Sequence, residues 1–142
     1  MLRCIGVAIA GALLLSGCTL LGPQVKTYRA RLTAIQEVPP ANSSALGAAS
    51  FTLDSKSRQL AWRVSYRNLT SDVTAVVLHG PAGPGENAGA FVDLAANGIA
   101  NPLEGSATLT AAQMADLMAG KTYVSIYTVR NKRGEIRGQI GG

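Results

Sequence analysis

The chain has 142 residues, with 13 basic against 8 acidic side chains for a formal net charge of +5, two cysteines and one histidine. That length corresponds to about one domain, and a single histidine excludes a three-imidazole metal site within one chain. The basic cluster Arg130, Lys132, Arg133 and Arg137 has no aromatic residue interleaved with it, which argues against the stacking surface of a nucleic-acid binder.

The first element is a targeting signal. Met1 to Arg3 is a short basic start, Ile5 to Leu15 is an uncharged apolar run, and Leu15-Ser16-Gly17-Cys18 follows with small residues before the cysteine. A positive end, an apolar helix and a small-residue cleavage site are the order of a secretory signal peptide. The four residues resemble the lipobox of bacterial lipoproteins. This implies residues 1–17 as signal peptide, cleavage before an acylated Cys18, and residues 18–25 as a lipidated tether ahead of a domain at 26–142. Two or three acyl chains make a stable membrane anchor where one is marginal. The alternative is an uncleaved transmembrane helix, because no charge appears between Arg3 and Lys26. Gly17, Gly22 and Pro23 break the far end of that stretch and favour cleavage. Thr19 rather than Asp follows the cysteine, so the outer membrane is favoured where the cell has one. Cleavage would leave a body with no cysteine other than Cys18, so neither a disulfide nor thiol catalysis is available to it.

Downstream the pattern turns to period two. Tyr28, Ala30, Leu32 and Ala34 alternate with Thr27, Arg29, Arg31 and Thr33, the signature of a half-buried strand, which Pro39-Pro40 is expected to end. Ala48 to Leu53 reads as a second strand. In a third, Leu60, Trp62, Val64 and Tyr66 share one face. Val73 to Leu78 is an apolar strand, and His79 to Gly85 is a Gly/Pro loop. Two short strands follow at Gly89 to Leu94 and Gly105 to Leu109. Thr110 with Gln113 has capping-box spacing, and Gly120 supplies a stop, so one helix lies between them with Met114, Leu117 and Met118 on one stripe. A methionine stripe can bind soft metals; at helical spacing it reads better as a packed face. Tyr123 to Thr128 and Glu135 to Ile140 complete seven or eight strands, an all-β sandwich or barrel. Arg130, Lys132, Arg133 and Arg137 crowd the last hairpin, read here as its solvated tip and outer face, with anionic lipid or polysaccharide as the other reading.

Gln36-Glu37-Val38-Pro39-Pro40, His79-Gly80-Pro81-Ala82, the Leu109 to Gly120 helix and Gly134-Glu135-Ile136-Arg137-Gly138-Gln139 together resemble the CHRD family over roughly residues 28–140. The resemblance implies an immunoglobulin-like or superoxide-dismutase-like β-sandwich and no established reaction. Members commonly carry a His-x-His-Gly motif and an Asn-Val-His-Thr motif. Here Val77 stands for the first histidine, His79 keeps the second, Tyr127 replaces the third and Ser125 the asparagine. His79 is therefore expected to hold its loop through backbone hydrogen bonds, and to be at most a remnant of a metal site. A phenolate ligand from Tyr127 would need a strong local cause, since the unperturbed pKa is near 10. Glu135 and Arg137 are placed to pair, and Gly138 marks a close approach of backbones.

No catalytic residues and no cofactor are expected: the histidine has no serine partner, the acids are scattered, and Gly80 to Gly89 lacks the Lys-Ser/Thr ending of a phosphate loop. The leading expectation is a lipid-anchored, non-catalytic envelope module, with an envelope protein or polysaccharide as partner and no nucleic acid. Its contact surfaces would be the Gly80 to Asn87 loop, the strand edges and the basic hairpin. A copper-handling or redox protein with a degenerate site is the alternative, and a structural envelope lipoprotein a further one.

Overall fold

The alternation read from the sequence becomes eight antiparallel strands in a computed structural model that describes residues 24–142. They are β1 (Val25–Thr33), β2 (Leu46–Asp54), β3 (Gln59–Arg67), β4 (Val73–His79), β5 (Ala90–Asp93), β6 (Leu103–Thr108), β7 (Tyr123–Thr128) and β8 (Ile136–Gln139), with one helix, α1 (Ala111–Met118), before β7. The expected signal peptide, Cys18 and the expected tether up to Pro23 lie outside the described residues.

The strand order is β5-β4-β7-β8-β1-β2-β3-β6. β1 and β8 meet in one ladder pair, Thr33 with Arg137, plus a bridge from Arg29 to Gly141. The sheet thus folds into two layers of four strands hinged at this narrow join. One core fills the space between them, from Tyr28, Leu32, Phe51, Leu60 and Val64 on one layer to Val76, Leu78, Val124, Ile126 and Ile136 on the other. At the side away from the hinge, Trp62 of β3 donates its indole N–H to the carbonyl of Leu94, just past β5, at 3.1 Å. Sheets packed face to face in this way are the sandwich expected from many short alternating strands.

The helix forms where its caps stand. The Thr110 hydroxyl accepts from the Gln113 amide, and the Gln113 side chain accepts from the Thr110 amide, so two orphan N–H groups are satisfied reciprocally. Leu117 is buried and Met114 half-buried, but Met118 is 55% exposed, so the expected three-residue stripe is narrower by one. On a two-turn helix Met118 is rotated about 100° past Leu117, beyond the edge of the packed face.

The first strand also ends earlier than the prolines suggested. Ala34–Gln36 turn as a 3-10 helix, with the Glu37 N–H donating to the Ala34 carbonyl. The Gln36 side chain donates back to the Arg31 carbonyl and the Thr33 hydroxyl, at 2.8 and 3.0 Å. Side-chain bonds of this local kind compete with the ladder. They carry the chain over the hinge onto the outer face of β8.

Candidate functional site

Polar side chains alternate with the core residues of β7 and β8, and His79 ends the corresponding face of β4. The ladder sets His79 opposite Tyr123, Val77 opposite Ser125 and Ala75 opposite Tyr127. It also sets Tyr123 opposite Gln139 and Ser125 opposite Arg137. Directly paired residues share a face, so these side chains project together from the outside of one layer. On an ordinary sandwich that face would be wet. Here the 34–40 segment and the Gly80 to Gly89 loop cover it, leaving His79, Tyr123, Ser125, Arg137 and Glu37 all buried.

The centre is a stack across three strands. The Tyr123 ring lies flat against His79, with centroids 4.8 Å apart and planes 11° from parallel, while the Arg137 guanidinium sits 3.4 Å over the Tyr123 ring. A cation over a desolvated aromatic face contributes about 2 kcal/mol. Arg137 also donates to the Asn87 side-chain carbonyl and the Gly83 carbonyl, each at 3.2 Å. Gln139 donates to Ala82 and Gly120 carbonyls, and Asn87 donates across to the Val38 carbonyl. Both covering segments are thereby fastened to β8.

This placement corrects the reading of Arg137 as part of a solvated hairpin face: it is 1% exposed. Arg130, Lys132 and Arg133 do form the exposed tip. Nor does Arg137 pair with Glu135. Among the described residues the side-chain ion pair is Arg63 with Glu104. The Glu135 carboxylate instead accepts from Thr70, Ser43, Thr128 and Asn131 at the far end of β8. Neutral donors satisfy it, so it has no need of the arginine. The expected close approach at Gly138 is present: a Cβ there would stand 2.6 Å from the Arg31 carbonyl oxygen.

His79 holds its loop as expected, through Nδ1 and the Ala88 carbonyl at 3.0 Å. Burial pushes its pKa below the usual value and the Arg137 charge adds to that, although backbone bonds oppose it. The ring is therefore neutral at pH 7. Because a carbonyl only accepts, Nδ1 carries the proton, and Nε2 accepts from the Tyr127 hydroxyl at 2.8 Å. Burial pushes the Tyr127 pKa upward, with Glu37 and Tyr123 adding to it, the reverse of what a phenolate ligand needs. Val77 lies between His79 and Tyr127 in the pairing with β7, so the three positions that the resemblance linked do sit side by side. Both nitrogens of the one imidazole are already engaged, and among the described residues no three metal-ligating side chains gather.

Glu37 is the residue whose role the sequence concealed. Its carboxyl accepts from the Ser125 hydroxyl at 2.8 Å and packs against Gly134, whose absent Cβ would fall 2.5 Å from Oε1. Gly134 has a positive φ of 109°, so only glycine satisfies both the turn and the carboxyl. Burial pushes the Glu37 pKa up to about 7, against the lowering effects of the Ser125 bond and the Arg137 charge. Ser125 gives its proton to Glu37 rather than to His79, so no serine–histidine pair is assembled.

A raised carboxyl pKa makes stability depend on pH with a definite sign. The Glu37 contribution is fully present below the ordinary value of 4.5 and is lost as pH rises through about 7. Glu37→Gln keeps a neutral acceptor for Ser125 and should flatten that decline, leaving the variant more stable than wild type at pH 8 by about 2–3 kcal/mol at most. Urea denaturation of both proteins at pH 5 and pH 8 measures this. Parallel pH profiles would refute it.

Beside the network a cleft of about 420 Å³ opens between the two covering segments. Glu37, Arg137 and Gln139 reach it from below, and Ile35, Pro40, Pro84 and Gly85 stand at its sides. Ile35 is 80% exposed, a large apolar side chain with nothing over it.

A two-layer antiparallel sandwich, with polar groups buried under loops outside its core, defines an all-β domain. The model of the CHRD domain matches residues 28–140, and the chain belongs to that family. Comparison with curated proteins and with solved structures gave no match.

Proposed function

We propose that this CHRD-domain protein is a lipid-anchored, non-catalytic binding module of the cell envelope, tethered through Cys18 and engaging a partner at the cleft beside Glu37 and Arg137. The observation that carries the reading is the cleft's make-up: exposed apolar Ile35 and Pro84 above a polar floor of Glu37, Arg137 and Gln139. Apolar anchors around a few oriented polar groups are the usual composition of a recognition site. The network beneath is spent on holding loops, which suits a preformed surface better than a reaction. Anchoring rests on Leu15-Ser16-Gly17-Cys18, and an envelope protein or polysaccharide is the partner such a position makes available.

A photo-crosslinking amino acid at position 35 should give a discrete adduct in intact cells, and one at position 99, which is also exposed, should give none. Cys18→Ser should remove the lipid mass, leave an unprocessed or soluble species and abolish the adduct. Wild-type protein running at full precursor mass without lipid would overturn the anchor. Equal adducts from positions 35 and 99 would overturn the cleft.

A further inference from the structure

The other layer carries a second surface, independent of the cleft. On the outer face of β1-β2-β3 the ladder sets Arg29, Ser50 and Arg63 in one row. The next row holds Arg31, Ala48 and Ser65, and the one after it Thr33, Leu46 and Arg67. Arginines from β1 and β3 thus wall both sides of a trough whose floor, along β2, is made of Leu46, Ala48 and Ser50. All four arginines are exposed. The depression between Arg31, Ala48, Ser65 and Arg67 measures about 510 Å³, and the one between Arg29, Ser50 and Arg63 about 290 Å³. Two strand spacings put the walls about 9–10 Å apart, and residues 63 to 67 span about 13 Å along the strand. Glu104 answers Arg63 from the β6 edge, and no acidic side chain stands between the walls.

We infer that this trough binds a linear acidic polysaccharide, whose carboxylates or phosphates are taken in turn by Arg29, Arg31, Arg63 and Arg67. Guanidinium groups on both sides of a channel match an anionic chain lying along it, since each fork can bind a carboxylate or phosphate through two parallel hydrogen bonds. A membrane surface is a poorer match. It is planar rather than linear, whereas the arginines stand in two facing rows along the strands.

Binding of fluorescein-labelled polygalacturonate oligomers to the full chain in non-ionic detergent, followed by fluorescence anisotropy, tests this. Arg31→Gln with Arg67→Gln should weaken binding at least about tenfold, because two forks are lost from an array whose members act together. Arg130→Gln with Lys132→Gln removes the same charge from the hairpin tip and should change affinity by less than about twofold. Thermal melts of both variants matching wild type would show that folding is not the cause. Equal loss in the two variants would overturn the trough in favour of unspecific charge attraction. Absence of polymer binding, or binding to phosphatidylglycerol vesicles that the polymer fails to displace, would overturn the polysaccharide.

Discussion

Replacing Trp62 with alanine is expected to remove about 3–5 kcal/mol of unfolding free energy. The indole is 7% exposed, lies between the two layers, and donates to the Leu94 carbonyl across the side that the hinge leaves open. Gly105 on the neighbouring strand has no Cβ because one would stand 2.7 Å from the ring, so the site is shaped around this side chain. Alanine would leave a cavity and an unpaired carbonyl together, and each carries its own cost. A domain of this size has about 5–15 kcal/mol in total, so the variant should be largely unfolded at modest urea. Trp62→Phe, which fills most of the volume but cannot donate, should fall between. A loss below about 1 kcal/mol for the alanine variant would refute the assignment of Trp62 as the link between layers.

Glu135→Ala is the second large effect. The fully buried carboxylate accepts from the Thr70 amide at 2.9 Å, the Thr70 hydroxyl at 2.6 Å, Ser43 at 2.8 Å, Thr128 at 2.9 Å and Asn131 at 3.0 Å. Bonds to a charged group contribute about 1.5–3 kcal/mol each, so the loss should be at least about 3 kcal/mol even after water enters. Burial alone would raise the Glu135 pKa, and the bonds from Thr70, Ser43 and Thr128 more than reverse it, so the net shift is downward. A depressed carboxyl contributes stability above its ordinary value of 4.5 and loses it as pH falls through the lowered pKa. Glu37 acts in the opposite direction, so these two carboxyls together favour the acid side of neutrality over pH 8. Urea denaturation gives the stability loss, and hydrogen exchange at the Thr70 amide should accelerate in step with it. Unchanged exchange at that amide would show that the carboxylate does not hold the Thr70 turn.

How legible each part was follows from the range of the interaction that decides it. Tyr28, Leu32, Leu60, Trp62 and Val64 are buried as the period-two pattern requires, because alternation along a strand is a local property of the backbone. The helix between Thr110 and Gly120 was readable for the same reason, since its capping box joins residues three apart. The CHRD membership was legible too, spread over motifs whose roles were not. Gln36 turns out to clasp β1 to β8, its side-chain carbonyl accepting from the Gln139 amide at 3.2 Å, 103 positions away.

The sequence by itself determined the strands, the helix, the inward faces and the family. Tertiary structure alone decided that the outward face of β4, β7 and β8 is buried. That face becomes an interior only because the 34–40 segment and the 80–89 loop arrive over it from distant parts of the chain. Asn87 reaches Val38 across 49 positions and Ser125 reaches Glu37 across 88. Arg137, placed by charge and alternation at the surface, is buried by those loops, and desolvation moves Glu37 to about 7. Alternation specifies which side of a strand a residue occupies. Whether that side meets water depends on what else the folded chain lays across it.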